Sequence, residues 1–203
     1  VTNPPIDPFR EKVVMSLQCP IGPEDNILKP SPKQVHRLWL KQPVISIADL
    51  EVMKLTTHRG WSTYVIDTTS AVTDGTVGFL TRLESICEEA NEASKSHQIL
   101  ILSDRKAGAD RVPISSLVAL GAIHHHLIEC RARMKVALVV ETAEAREVHH
   151  MCVLLGYGAD AICPYLALEL AASLRDQGVL DTSLTDDVIY QNYAQAMVTG
   201  VSK

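Results

Sequence analysis

Aromatic side chains are scarce in this sequence, only 4% of 203 residues, so aliphatic side chains must dominate the core. No apolar run approaches the ~20 residues needed to cross a bilayer as a helix. No run of Lys or Arg occurs, and the formal net charge is -5, which argues against a nucleic-acid or acidic-membrane surface. Cys-x-x-Cys is absent, and five cysteines at wide, irregular spacing support neither a structural zinc nor a cluster motif. Three of them (Cys87, Cys130, Cys152) fall in helical patterns, where a reduced cysteine acts as a small apolar residue. Such usage fits a reducing compartment, with the cytoplasm the expected one. There is no Gly-x-Gly-x-x-Gly, no Gly-x-x-x-x-Gly-Lys and no Gly-x-Ser-x-Gly, so nucleotide-phosphate loops and a nucleophile elbow are unsupported. The opening Val1-Thr2-Asn3-Pro4-Pro5 lacks an initiator Met and a signal peptide, as expected of a piece cut from a longer chain.

What is present divides in two. Residues 1–43 hold eight of the ten prolines and no sustained helical period, apart from a short helix candidate over 34–40. Proline removes a backbone donor and fixes φ, so an extended arm is expected. Ile6, Phe9, Val13, Val14, Met15 and Leu17 need a surface to pack on, which makes it a docked arm and not a tether. Residues 44–203 form the expected core. Short apolar runs at Thr63–Asp67, 98–102, 135–140 and 159–162 read as strands covered on both faces, hence parallel. Helical stripes lie between them, at Leu80, Leu83, Cys87 and Ala90, then Leu117, Leu120, His124, Leu127 and Ile128, then Ala145, Val148, Cys152 and Leu155. Pro113 and Pro164 fit helix first turns, while Gly156 and Gly178 fit helix ends. The fold class is α/β, a mainly parallel sheet of βαβ units resembling part of a βα barrel, with a long extended N-terminal arm.

Ligands of parallel α/β sheets sit at the carboxyl ends of the strands. Those ends carry Asp67, Asp104 with Arg105, and Glu141 with Thr142, and three acids could serve a free-standing enzyme. The ordinary alternative has Glu141 and Thr142 capping the next helix, and Asp104 and Asp110 paired with Arg105 and Arg111. Metal ligation is unsupported, because His149 and His150, like His124-His125-His126, are adjacent and fan around a helix instead of sharing a face. His124 falls on the apolar face as a hydrogen-bonded histidine. A regulatory module binding a metabolite or partner is a further alternative. Composition and spacing take function no further.

Several stretches, in register over nearly the whole chain, resemble the glutamate synthase family. They are Val-Thr-Asn-Pro-Pro-Ile-Asp-Pro (1–8), Val-Met-Ser-Leu (14–17), Ile-Gly-Pro-Glu (21–24), Arg-Gly-Trp (59–61), Leu-Ser-Asp-Arg (102–105), Val-Pro-Ile-Ser-Ser-Leu (112–117), Gly-Ala-Ile-His-His-His-Leu (121–127), Glu-Ala-Arg-Glu-Val-His-His (144–150) and Gly-Tyr-Gly-Ala-Asp-Ala-Ile-Cys-Pro-Tyr-Leu (156–166). The resemblance implies an oxidoreductase that makes L-glutamate from L-glutamine and 2-oxoglutarate. In that family a glutaminase domain releases ammonia, which passes through a tunnel to a barrel carrying FMN and a 3Fe–4S cluster. This chain corresponds to the central domain joining the two, cut short at its C-terminus and inactive alone. It implies glutaminase and FMN-binding domains of the same polypeptide as partners, with a NAD(P)H-oxidising subunit or domain. Arg59-Gly60-Trp61 looks more like the pyridine-nucleotide-linked members. No catalytic, cofactor or metal residue is expected within the chain itself. Met15 and Ser16 are the implied contacts to FMN or 2-oxoglutarate in the full enzyme, and Thr2, Asn3, Ile6 and Asp7 the implied tunnel and interface residues.

Overall fold

The computed structural model describes residues 14–24 and 26–203. Its first elements are β1 (Cys19–Ile21) and β2 (Leu38–Leu40), an antiparallel pair with Cys19 opposite Leu40. The helix expected over 34–40 is therefore corrected. Only Pro32–Val35 winds into a 3-10 turn, where the Gln34 side chain accepts from Ser31 N at 3.0 Å. Leu38–Leu40 is pulled straight by β1, a partner distant in sequence. At Pro43–Ile45 the chain enters the main sheet: Ile162 N donates to Pro43 O (2.8 Å) and Ile45 N to Ile162 O (2.9 Å).

Helix α1 (Ile47–Lys54) follows at once. Ser46 caps it, its Oγ accepting from Asp49 N at 3.0 Å, and Asp49 sits in the first turn where the helix dipole favours an acid. The sheet then assembles from β3 (Thr63–Asp67), β5 (Ile99–Ser103), β7 (Ala137–Glu141) and β8 (Ala161–Cys163), all parallel and adjacent in chain order. Between them lie β4 (Thr69–Ala71), α2 (Gly75–Ala93), β6 (Arg111–Pro113), α3 (Ser116–Glu129) and α4 (Val148–Gly156). Helices α5 (Tyr165–Asp176) and α6 (Asp186–Val201) complete the chain. The parallel sheet expected from the short apolar runs is thus present, each strand shifted by no more than a residue or two.

Strand periodicity sorts the core into two layers. Ile66, Leu100, Leu102, Leu138, Val140 and Ile162 face α2, α3, α4 and α6. Ile99, Ile101, Ala137, Val139, Ala161 and Cys163 face α1, Trp61 and the end of β1 at Ile21. Sequential strand order with the crossover helices α2, α3 and α4 on one face is the winding of a barrel arc, not of a doubly wound sheet. Here α1 and the β1–β2 pair fill the concave side, where the remaining strands of a closed barrel would stand.

The helical faces differ in detail from the periodic reading. On α2 the buried stripe runs through Ile86, Cys87, Ala90 and Ala93, while Leu80 is exposed. On α4 Met151 and Leu154 are buried and Cys152 is exposed; Ala145 is buried but precedes the helix. Ile128 is half exposed. Pro113 ends β6, since pairing with Thr69 claims it, and α3 starts only at Ser116. Pro164 stands just before α5. Gly156 is the last residue of α4, and the left-handed glycine beyond it is Gly158 (φ 108).

Gly158 marks a close approach. A Cβ there would lie 2.2 Å from His124 Nδ1, in a backbone conformation that side chains rarely adopt. Gly158→Ala is expected to cost about 1–3 kcal/mol, measured by urea denaturation. Adding His124→Ala should recover the steric part and leave the backbone part.

Candidate functional site

The register of the sheet places Asp67, Ser103, Glu141 and Cys163 in one row across the carboxyl ends of the four strands. They lie on the face turned to α1, at the strand ends from which a βα barrel presents its chemistry. Glu141 is at the centre and only 1% exposed. Its Oε2 accepts from Ser103 Oγ at 2.7 Å, and its Oε1 accepts from Arg105 Nε at 2.6 Å and Lys54 Nζ at 3.1 Å. Lys54 ends α1 and also meets Glu51, while Arg105 reaches Glu169 on α5 at 2.9 Å. The Arg105 guanidinium lies over the Tyr165 ring, 4.1 Å from its centroid. Burial alone would raise the Glu141 pKa; the hydrogen bonds from Ser103, Arg105 and Lys54 outweigh it and hold the carboxyl below its usual value.

The other two rim acids are equally engaged. Asp67 accepts from Thr69 N (3.0 Å) and Thr69 Oγ1 (2.7 Å) and pairs with Arg111 (3.1 Å) and Lys106 (3.5 Å). Its pKa too is lowered, since Thr69 and the two cations overcome burial. Buried Asp104 accepts from Thr142 Oγ1 (2.7 Å) and Ala143 N (2.9 Å), fixing the turn after β7. The alternative of a free-standing enzyme using Asp67, Asp104 and Glu141 is thereby corrected, because each carboxylate is spent on its own partners. The helix-capping alternative is corrected as well. Helix α4 begins at Val148, beyond reach of Glu141 and Thr142, and Arg105 and Arg111 turn to Glu141 and Asp67 instead of Asp104 and Asp110.

A helix N-terminus is the natural seat of a ligand phosphate. At α3 this position is taken by Glu144, whose carboxylate accepts from Ser116 N and Ser116 Oγ, both at 2.7 Å, and from Ser115 Oγ at 3.2 Å. Burial pushes the thiols of Cys19 and Cys163 up to about 11 and about 12, with Asp160 and Glu141 adding respectively, so both are poor nucleophiles at neutral pH. Among the described residues no three His, Cys, Asp or Glu side chains come together to hold a metal ion. His124 accepts from Arg133 Nε at 3.0 Å, and burial followed by that cation lowers its pKa. The α3 N-terminus, already filled by Glu144, is therefore no seat for a flavin phosphate.

Two cavities lie away from the rim, and neither is lined by Asp67, Asp104 or Glu141. One, of about 390 Å³, opens between residues 16–20 and the α4–β8 loop at Ala159 and Asp160. Ser16 lines it, with Oγ accepting from Gln18 N at 3.0 Å, and Met15 beside it is 63% exposed. The expected tunnel residues Thr2, Asn3, Ile6 and Asp7 lie outside the described residues. The other, of about 420 Å³, is bounded by Trp39, Val52, Met53 and Trp61 with His36, Arg37, His58 and Arg59 around it. Motif reading missed this hollow. The available signal was that both tryptophans of an aromatic-poor chain fall between residues 39 and 61.

The glutamate synthase central domain family model matches residues 1–203, the entire chain. The chain belongs to the glutamate synthase central domain family. Similar curated proteins are the NADH glutamate synthase of Schizosaccharomyces pombe (42% identical over 206 residues) and the NADPH glutamate synthase large chain of Bacillus subtilis (38% over 205). Each match covers 100% of this chain, but only 10% and 13% of the relative. The ferredoxin-dependent glutamate synthase of Pyropia yezoensis is 41% identical over 177 residues, 84% of this chain and 11% of its own. This glutamate synthase central domain thus spans about a tenth of the length of the curated relatives it matches.

Glu141 offers the sharpest test of the rim. Glu141→Gln leaves Arg105 and Lys54 without their shared anion and should cost about 3 kcal/mol, the low end for a buried pair because Arg105 remains a third exposed. The depressed Glu141 and Asp67 carboxyls contribute stability that is present above their ordinary values of 4.5 and 3.8 and is lost as pH falls through the lowered ones. Unfolding free energy should therefore decline below about pH 4.5, and denaturation curves of Glu141→Gln should show a shallower decline.

Proposed function

We propose that this domain is the connecting scaffold of a glutamate synthase, a polypeptide that makes L-glutamate from L-glutamine and 2-oxoglutarate with a reductant. In this reading the glutaminase chemistry, FMN and the 3Fe–4S cluster belong to neighbouring domains of the same polypeptide. The central domain supplies walls and spacing for ammonia passing between them. The observation that carries the reading is the saturated strand-end rim: a barrel-like sheet whose would-be active site is closed by Lys54, Ser103, Arg105 and Glu144. Family membership supports this view of the surrounding enzyme, and the closed rim supports this division of labour.

Residues 1–43 are proposed as the docking arm and 44–203 as the core that carries it; Ile21 and Leu40 of the arm pack on the core itself, which leaves the stretch before β1 to meet the neighbouring domains. Thr2, Asn3, Ile6 and Asp7 line the tunnel side in this reading. Met15 and Ser16 reach the FMN or 2-oxoglutarate of the adjoining domain; Met15 is exposed and free to do so.

Purified by itself, the 203-residue chain should hydrolyse no glutamine and retain no flavin after gel filtration. Stoichiometric flavin or turnover of glutamine would overturn the scaffold reading. In the complete polypeptide, Met15→Ala with Ser16→Ala should raise the KM for 2-oxoglutarate and leave glutaminase turnover unchanged in steady-state assays.

A further inference from the structure

The hollow of about 420 Å³ between β2, α1 and the His58–Gly60 turn has no part in the rim network. Its floor is built with care. Gly22 (φ 123) lies flat against the Trp61 indole, where a Cβ would come within 2.4 Å, and the His36 ring sits 5.3 Å from that of Trp61. Met53 and Ile99 close the bottom and are buried. The mouth, by contrast, is apolar and open to water. Trp39 is 65% exposed and Val52 71%, and Leu55, one turn on from Val52, is 80% exposed. Large apolar side chains gathered in this way mark a surface that something covers.

Charge identifies the kind of partner. Among the described residues the hollow is lined by two arginines and by no acid, on a chain whose net charge is -5. Arg37 is paired with Glu24 at 3.2 Å, but no ion pair engages Arg59 among the described residues. Arg59 is held in a left-handed conformation (φ 52, ψ 33), unusual for a residue with a side chain, on the rim of the hollow. A second copy of the domain is disfavoured, because a two-fold contact must be self-complementary and the described lining offers Arg59 no acid. A small ligand filling the hollow would leave Leu55 bare.

We infer that this hollow docks an acidic segment bearing one bulky apolar side chain, supplied by the part of the glutamate synthase polypeptide outside residues 1–203. The apolar side chain enters between Trp39, Val52 and Trp61, and a neighbouring carboxylate pairs with Arg59. The inference rests on the scaffold reading and adds to it a face and a partner chemistry.

The test uses the complete polypeptide carrying Arg59→Lys, treated with a carbodiimide that joins amines to carboxylates in direct contact. Peptide mapping should find position 59 joined to an Asp or Glu outside residues 1–203. In the wild-type polypeptide, backbone hydrogen exchange at 52–61 should be slow, and Val52→Asp should speed it about tenfold. Cross-links only within 1–203, only between isotopically distinct copies, or none at all, with 52–61 exchanging like an open loop in the wild type, would overturn the docking site. That result leaves the scaffold reading intact, since flavin content and glutamine turnover of the 203-residue chain are measured independently.

Discussion

A carboxylate buried at the middle of a strand-end row must be neutralised, and the way Glu141 is neutralised organises this domain. Removing a carboxylate from water costs several kcal/mol unless partners of good geometry replace the lost solvation. Glu141 obtains them from three directions: Ser103 on the adjacent strand, Arg105 beyond it, and Lys54 from the end of α1. The last contact ties the layer on the concave side to the sheet. Arg105 extends the link to α5 through Glu169 and the Tyr165 ring. One acid thus joins the strand ends, α1 and α5, and in doing so occupies the place where a barrel would bind its ligand.

The same substitution of internal partners for external ones recurs around the rim. Glu144 sits where an anion would sit at α3, and Asp67 spends its oxygens on Thr69, Arg111 and Lys106. Two antiparallel strands, β4 and β6, carry Thr69 and Arg111 to that position. Surface ion pairs contribute little each, but a set that shares buried acids closes a surface and fixes the strand-to-helix turns. A sheet so closed transmits position well and offers reactants little. That is the physical sense in which a barrel arc can serve the scaffold role proposed for it.

Much of the fold was legible because strands buried on both faces read as short aliphatic runs, and Thr63–Asp67 coincides with its strand. The helix faces were less so. Leu80 and Cys152 satisfy a helical period yet point to water, because which flank of an apolar stripe is buried depends on the sheet it meets. Leu38–Leu40 was read as helical since nothing local reveals its pairing with Cys19–Ile21. At the rim, the right residues were found and the wrong partners assigned. Lys54 lies 87 residues from Glu141, and no periodicity connects them. Membership of the glutamate synthase central domain family was legible from motifs in register, whereas the Trp39–Trp61 hollow needed the three-dimensional arrangement.

The central claim, that the strand-end rim is closed by its own charges, can be tested by ¹³C NMR titration of the Glu141 carboxyl. The account predicts a midpoint below the ordinary glutamate value, unchanged by FMN or 2-oxoglutarate. A midpoint at or above that value would show a carboxyl its partners do not neutralise, and one that moves when either compound is added would show an open rim. Either would contradict it.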